Sequence, residues 1–157
     1  MKLLPLIIVA IIAGVTALSE DHAKAVLPTE ITLSAGRAAE YFVGYTKALQ
    51  SFQRNNPTFT GSVPEASLIG RGYPLSADFL VTAGNGITAT GTNGRIVTAY
   101  AFLPAGAVTG VLKQTQNDAS IGSVSGSSWT SYNDGISKPL AISVTDGATV
   151  SVIQIGK

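Results

Sequence analysis

Ser34-Ala-Gly-Arg-Ala-Ala-Glu-Tyr-Phe-Val-Gly-Tyr-Thr-Lys-Ala-Leu-Gln-Ser-Phe-Gln-Arg54, followed at once by Asn55-Asn56-Pro57, is the stretch on which the fold turns. Serine is a favoured N-cap because its hydroxyl accepts from a free N–H of the first helical turn, and Asn-Asn-Pro cannot continue a helix. The stretch therefore predicts one long helix from Ser34 to about Arg54. Its apolar positions, Ala35, Ala38, Ala39, Phe42, Tyr45, Leu49 and Phe52, recur every three or four residues and define one face. Arg37, Glu40, Lys47, Gln50 and Arg54 fall mostly elsewhere on the wheel. Such a stripe is expected to pack on a sheet, with a partner-binding face as the other reading.

Downstream the pattern changes to short strands and turns. Gly86 to Leu103 holds two strand-like runs around Asn93-Gly94, a dipeptide suited to a type I′ hairpin turn, whose central residues both need positive φ. In the second run Ile96, Thr98, Tyr100 and Phe102 share one face and Val97, Ala99 and Ala101 the other, so both faces are largely apolar and the strand belongs inside the sheet. Further strands are expected at Ala77 to Thr82, Val108 to Gln114, Ser120 to Val124, Leu140 to Val144 and Thr149 to Ile155, the last as a half-buried closing strand. Asn117-Asp118, Ser125-Gly126-Ser127-Ser128 and Asn133-Asp134-Gly135 punctuate them as turns. The fold class is α+β: one long amphipathic helix on a mainly antiparallel sheet, a pilin-like layout.

Upstream, residues 19–33 read as a connector in which Pro28 separates the helix from what precedes it. Before that lies the uncharged run Leu3 to Leu18, headed by Met1 and Lys2. As a helix it would span about 24 Å, a short transmembrane anchor against a hydrocarbon layer of about 30 Å. A cleaved signal is the competing reading, with small residues at suitable offsets in Ala17 and Ser19 and in Ala23 and Ala25. Pilin processing expects a short basic leader cut after Gly and a Glu five residues on. Here Gly14 comes late in the run and Glu20 is sixth after it, so a processed pilin subunit is not expected. The division is residues 1–18 as anchor or signal, 19–33 as connector and 34–157 as one exported α+β domain, placed in the periplasm by the positive-inside tendency of Lys2.

Composition agrees with export. Charged residues are 12% of the chain, well below the usual ~25%, and the net charge of +1 leaves no basic stripe of the kind that nucleic-acid binding needs. There is no cysteine, which excludes disulfides, thiolate metal sites and thiol catalysis.

The catalytic inventory is thin. His22 is the only histidine and sits in the connector beside Glu20 and Asp21, so a Ser-His-Asp arrangement would have to recruit it from next to the apolar run. Glu65, Asp78, Asp118, Asp134 and Asp146 are the carboxylates of the exported domain, each in or beside a turn-like segment. Side chains of this kind commonly bond their own backbone, whereas acid–base work needs two of them close together in a cleft. The Asn133-Asp134-Gly135 loop lacks the alternating oxygen ligands of a calcium loop. Gly84-Asn-Gly86 and Gly91-Thr-Asn-Gly94 do not lead from a parallel strand into a helix, as a phosphate site would. Trp129 is either a core residue or an interface anchor. The expectation is therefore no catalytic, cofactor-binding or metal-ligating residues.

The apolar segment, the helix Ala-Ala-Glu-Tyr-Phe-Val-Gly-Tyr-Thr-Lys-Ala-Leu-Gln-Ser-Phe, then Asn56-Pro57, Thr60-Gly61 and a Gly/Thr-rich β region together resemble the PilM family of plasmid thin-pilus (type IVb pilus) proteins. The local motif runs from Ala38 to Leu68, and the layout extends over most of the chain. The resemblance implies a small inner-membrane accessory of pilus biogenesis in the basal body, linked to conjugative transfer in liquid, with other pilus or secretion-machine subunits as partners and no assigned catalytic residues. That family is distinct from the actin-like cytoplasmic protein sharing its name. The readings combine into a non-enzymatic scaffold or adaptor that contacts its neighbours through the helix face or a sheet edge. The alternatives are a binding module, adhesin-like or minor-pilin-like, released by signal cleavage, and a small hydrolase using a carboxylate pair.

Overall fold

The computed structural model describes residues 34–156. The anchor or signal of residues 1–18, the connector and His22 lie outside the described residues. Among those described, no helix is long and apolar enough to cross a membrane.

Among the described residues helix α1 covers 34–55, and it stops where Asn-Asn-Pro demands. Asn56 closes its last turn twice over, donating to the Phe52 carbonyl from its backbone N–H at 3.0 Å and from Nδ2 at 2.9 Å. The expected stripe is buried at Ala35, Ala39, Phe42, Tyr45, Leu49 and Phe52. Val43, Gly44, Thr46 and Ala48 are buried as well, so the middle of α1 is enclosed on more than one side. Small residues permit this. A Cβ on Gly44 would lie 2.9 Å from the Pro74 carbonyl oxygen, and one on Gly110 would lie 2.9 Å from the Ala39 Cβ. The buried Thr46 hydroxyl is satisfied locally by donating to the Val43 carbonyl at 2.8 Å.

Among the described residues six strands form one sheet: β1 Ala83–Thr90, β2 Gly94–Ala101, β3 Ile121–Ser125, β4 Ser128–Ser131, β5 Ser137–Pro139 and β6 Thr149–Ile155. Their order is β1-β2-β6-β3-β4-β5 and every pairing is antiparallel. β2 is internal, as its two apolar faces predict. β6 has the expected bounds, yet it lies between β2 and β3 instead of closing the sheet. The β1–β2 hairpin also forms, with a different turn. Thr90 pairs with Gly94, leaving Gly91-Thr92-Asn93 as a three-residue loop, and Gly91 carries the positive φ of 78°.

Two predicted strands are helices. Helix α2 spans Ala77–Thr82, with the Ser76 hydroxyl accepting from the Phe79 N–H at 3.2 Å. A strand would send Phe79 and Leu80 to opposite faces, whereas the helix buries both, with Phe79 set against Tyr41 and Tyr45 at ring separations of 5.9 Å. Helix α3 spans Ala107–Gln114 after Gly106 at φ 83°. Its Val-Thr-Gly-Val composition favours a strand, but Ala107 and Val111, one turn apart, are both fully buried and tertiary packing overrides propensity. Leu140 to Val144 is likewise no strand.

The sheet has a core on each face. Toward α1 lie Ile87, Val97, Ala99, Ala101 and Ile121, together with Phe79, Leu80, Val63 and Leu68. On the other face Val124, Trp129 and Val150 pack with Val144 and Ala148, flanked by Leu140 and Ile142. The 140–148 segment is thus a cover for the second face, which is why its apolar residues do not pair into the sheet.

Asn85 joins α1, β1 and the loop before the short 3₁₀ turn Glu65–Ser67. Its Oδ1 accepts from the Val63 N–H at 2.7 Å, and its Nδ2 donates to the Tyr45 hydroxyl at 2.8 Å and the Val63 carbonyl at 3.1 Å. Burial pushes the Tyr45 phenol up, so it stays protonated through neutral pH. Asn85→Ala strands these groups and is expected to lower stability by about 2–3 kcal/mol in urea denaturation. A loss below about 0.5 kcal/mol would show that water replaces the amide without cost.

Candidate functional site

The five candidate carboxylates are held in separate turns. Asp118 Oδ1 accepts from the Ser120 N–H at 2.8 Å, and Asp134 Oδ1 accepts from the Ile136 N–H at 3.0 Å, both by the two-residue reach of an Asx turn. That N–H, helped by the Ser131 hydroxyl, holds the exposed Asp134 carboxyl below the usual carboxylate range. Asp146 Oδ1 ties a different turn to its own by accepting from the Gly126 N–H at 2.7 Å. Glu65 opens the 3₁₀ turn and Asp78 lies in the first turn of α2, both exposed. Among the described residues, no three of His, Cys, Asp and Glu come close enough to hold a metal ion.

Two clefts bear on chemistry. A cleft of about 210 Å³ lies among α1, the end of α3, β3 and β6, with Val43, Ile121 and Ile153 as its apolar lining and Lys47, Gln50 and Asp118 among its polar groups. The end of α3 is shaped by two successive left-handed residues, Gln116 at φ 55° and Asn117 at φ 57°, and the Asn117 N–H bonds the Leu112 carbonyl at 2.8 Å. Asp118 is the one carboxylate and Lys47 the one ammonium of its lining. The other cleft, about 450 Å³, is lined by Gly126, Ser127, Leu140, Ala141, Ile142 and Ser143 and has no titratable side chain.

The surfaces expected to meet partners are mostly occupied by the fold. The α1 stripe is core. Trp129 is 3% exposed inside β4, so of its two readings the core one holds in this fold, with the Lys138 ammonium 5.8 Å from its ring centroid. Along the outer side of β1, Gly61 exchanges both backbone hydrogen bonds with Ile87, at 2.8 and 2.9 Å. The opposite edge, β5, is three exposed residues containing Lys138 and Pro139. Both edges are blunted in the manner of sheets that avoid adventitious strand addition.

A long helix on a six-stranded antiparallel sheet agrees with the resemblance carried by Ala38 to Leu68. The sequence profile of the family described as PilM matches residues 7–152. The chain belongs to the PilM family. A crystal structure of a protein designated PilM from Escherichia coli B7A shares the fold, with a TM-score of 0.54 at 17% identity, covering 81% of this chain and 94% of that one. A protein designated pilM from Pseudomonas aeruginosa 2192 is 22% identical, covering 78% of this chain and 95% of that one, with a TM-score of 0.37. No curated protein matches the chain. Membership in PilM ties the chain by name to pilus biogenesis.

Sequence reasoning passed over one surface feature. Val81 and Phe102 are exposed at one end of the sheet, 86% and 49% respectively. The signal was present in the absence of any charge from 79 to 94 and again from 96 to 112.

Proposed function

We propose that this PilM chain is a non-enzymatic accessory of a type IV, thin or conjugative, pilus machine, anchored in the inner membrane by residues 3–18, with its α+β domain in the periplasm acting as scaffold or adaptor in the basal body. The observation that carries the reading is the dispersal of the candidate acids: Asp118, Asp134 and Asp146 each bond a backbone N–H of a turn, and the cleft that Asp118 enters offers no second carboxylate. Family membership gives the pilus context, and the uncharged run Leu3 to Leu18 gives the means of attachment. The domain then presents surfaces to other pilus or secretion-machine subunits and needs no cofactor.

Intact mass of the mature protein from washed membranes, with alkaline carbonate extraction of the same sample, tests the anchor. A full-length mass resistant to extraction is expected. A soluble species lacking the first 19 or 25 residues would replace this reading with a released binding module. For the non-enzymatic part, the combined variant Asp78→Asn, Asp134→Asn, Asp146→Asn should restore pilus assembly to a deletion strain within about twofold of wild type, since surface substitutions of this kind change stability little. A soluble, folded variant that restores nothing would point to carboxylate chemistry.

A further inference from the structure

β5 runs on past its neighbour. β4 starts only at Ser128, after the Gly126-Ser127 turn, and β5 runs antiparallel towards that start. The bond from the Leu140 N–H to the Ser127 carbonyl, at 2.9 Å, is therefore the last rung between them. Beyond it, Ala141, Ile142, Ser143 and Val144 make no backbone hydrogen bond to any described residue. The segment still keeps the burial rhythm of a strand: Leu140 and Ile142 are half-buried and Val144 is buried, whereas Ala141 and Ser143 are exposed. A bend at Ala141 and Ile142 lays it over the second face of the sheet, where a Cβ on Gly86 would lie 3.0 Å from the Ile142 Cγ2. The cleft of about 450 Å³ opens between the segment and the Gly126-Ser127 turn. Its far end is pinned, with the Gly147 N–H donating to the Val124 carbonyl at 3.0 Å and Asp146 Oδ1 accepting from the Gly126 N–H at 2.7 Å. A short strand with open main-chain groups is thus held at the surface, flanked by exposed Lys138 on one side and exposed Asp146 on the other.

We infer that this segment is a self-association site: two copies of the chain pair antiparallel along 141–144, about a two-fold axis at Ile142. Open N–H and C=O groups of a strand are completed by another strand. The spacing of the charges selects a second copy as that strand. With the axis at Ile142, Leu140 of one copy stands opposite Val144 of the other, Ala141 opposite Ser143, and Lys138 opposite Asp146, each contact occurring twice by symmetry. Other registers lose this match. A shift of two residues sets Leu140 against Asp146 or Val144 against Lys138, and a shift of one sets inward side chains against outward ones. A parallel pair in register would bring Lys138 beside Lys138. Exposed ion pairs stabilise little, whereas like charges directly opposed repel, so the main-chain bonds supply the attraction and the charges fix the register. The pairing is independent of how the chain is attached to a membrane.

The chain has no cysteine, so introduced cysteines report the register. Full-length Ala141→Cys, Ser143→Cys and Thr92→Cys chains, purified in detergent, are oxidised with copper phenanthroline, alone and in differently tagged pairs. The Ala141→Cys chain mixed with the Ser143→Cys chain is expected to form disulfide dimers several-fold faster than either alone. Opposed residues lie about 5 Å apart, within disulfide reach, and like positions about 7–8 Å apart, at its limit. Lys138→Glu or Asp146→Lys, placed in both chains of that mixture, should each slow crosslinking by about fivefold or more. One chain with Lys138→Glu and the other with Asp146→Lys should restore it to within about twofold, because every opposed pair is again of opposite sign. Dimers forming as fast through Thr92→Cys, or through the unmixed cysteine chains, would overturn the pairing, as would a complementary mixture that stays as slow as either charge variant. Should Asp146→Lys unfold through loss of its bond to the Gly126 N–H, seen by circular dichroism, the preference for mixed over unmixed cysteine chains with unaltered charges still decides.

Discussion

Gly122→Val is expected to prevent the β3–β4 hairpin from closing and to lower the stability of the domain by about 3 kcal/mol or more in urea denaturation followed by circular dichroism. Gly122 lies on the face of the sheet that carries Val124 and Trp129, and a Cβ there would collide with the Thr130 carbonyl oxygen while lying 2.7 Å from Trp129 Cε3 and 2.8 Å from the Thr130 carbonyl carbon. Two of these obstacles are backbone atoms of the neighbouring strand, so no rotamer change relieves them. The strain cannot be confined to the hairpin either. Gly122 pairs with Ser131 on one side and Val150 on the other, so displacing β3 disturbs the central strand β6. Gly84→Ala provides the contrast. Its Cβ would meet the ring tip of Tyr100, the far end of a half-buried side chain that can swing aside, and a loss of about 1 kcal/mol is expected. A Gly122→Val protein within 1 kcal/mol of wild type would mean that the hairpin is held less closely than this packing requires.

The elements legible in the sequence are those specified locally. Asn55-Asn56-Pro57 end α1, and alternation gives β6 its limits. The failures have a common cause in tertiary context. Val108, Thr109 and Val111 carry strand propensity, yet Gly110 lets α3 approach Ala39, and the buried pair Ala107 and Val111 makes a helix the better fit. β4 escaped detection because Ser125-Gly126-Ser127-Ser128 reads as a turn throughout. Only Gly126, at φ 60°, and Ser127 form the turn, and Ser128 already pairs with Ser125. Leu140 to Val144 has the composition of a strand, but a sheet with two apolar faces also needs covering, and nothing local separates a cover from a strand. The insertion of β6 between β2 and β3 depends on pairings between distant parts of the chain, which no local pattern encodes.

The turn roles of Asp118 and Asp134 were legible, since each bonds the backbone N–H two residues on, as its neighbours imply. The exposed apolar residues were not. The most regular apolar stripe in the sequence, on α1, became core, whereas the exposed apolar end arises from two residues in different elements, Val81 in α2 and Phe102 just beyond β2. Periodicity identifies a face within one element. A surface assembled from the ends of several elements has no period.

Trp129→Ala is expected to lower stability by about 3–5 kcal/mol, the range for truncating a buried aromatic. Trp129 is 3% exposed and, with Val124 and Val150 from the sheet and Val144 and Ala148 from the cover, builds the second core. That cluster is much smaller than the core beneath α1, so few neighbours can close over the space left behind. The Lys138 ammonium over the indole ring adds a cation–π contact that holds the short edge strand β5, and it disappears with the ring. Loosening should therefore begin at β5 and the 140–148 cover, seen as lost amide hydrogen-exchange protection there, while α1, β1 and β2 retain theirs until global unfolding. The same variant separates the two roles that sequence alone allows this residue. An interface anchor would leave stability unchanged and weaken association with other subunits, whereas a core residue destabilises the isolated chain first. Near-wild-type stability in Trp129→Ala would mean that the second face of the sheet is not held by this packing.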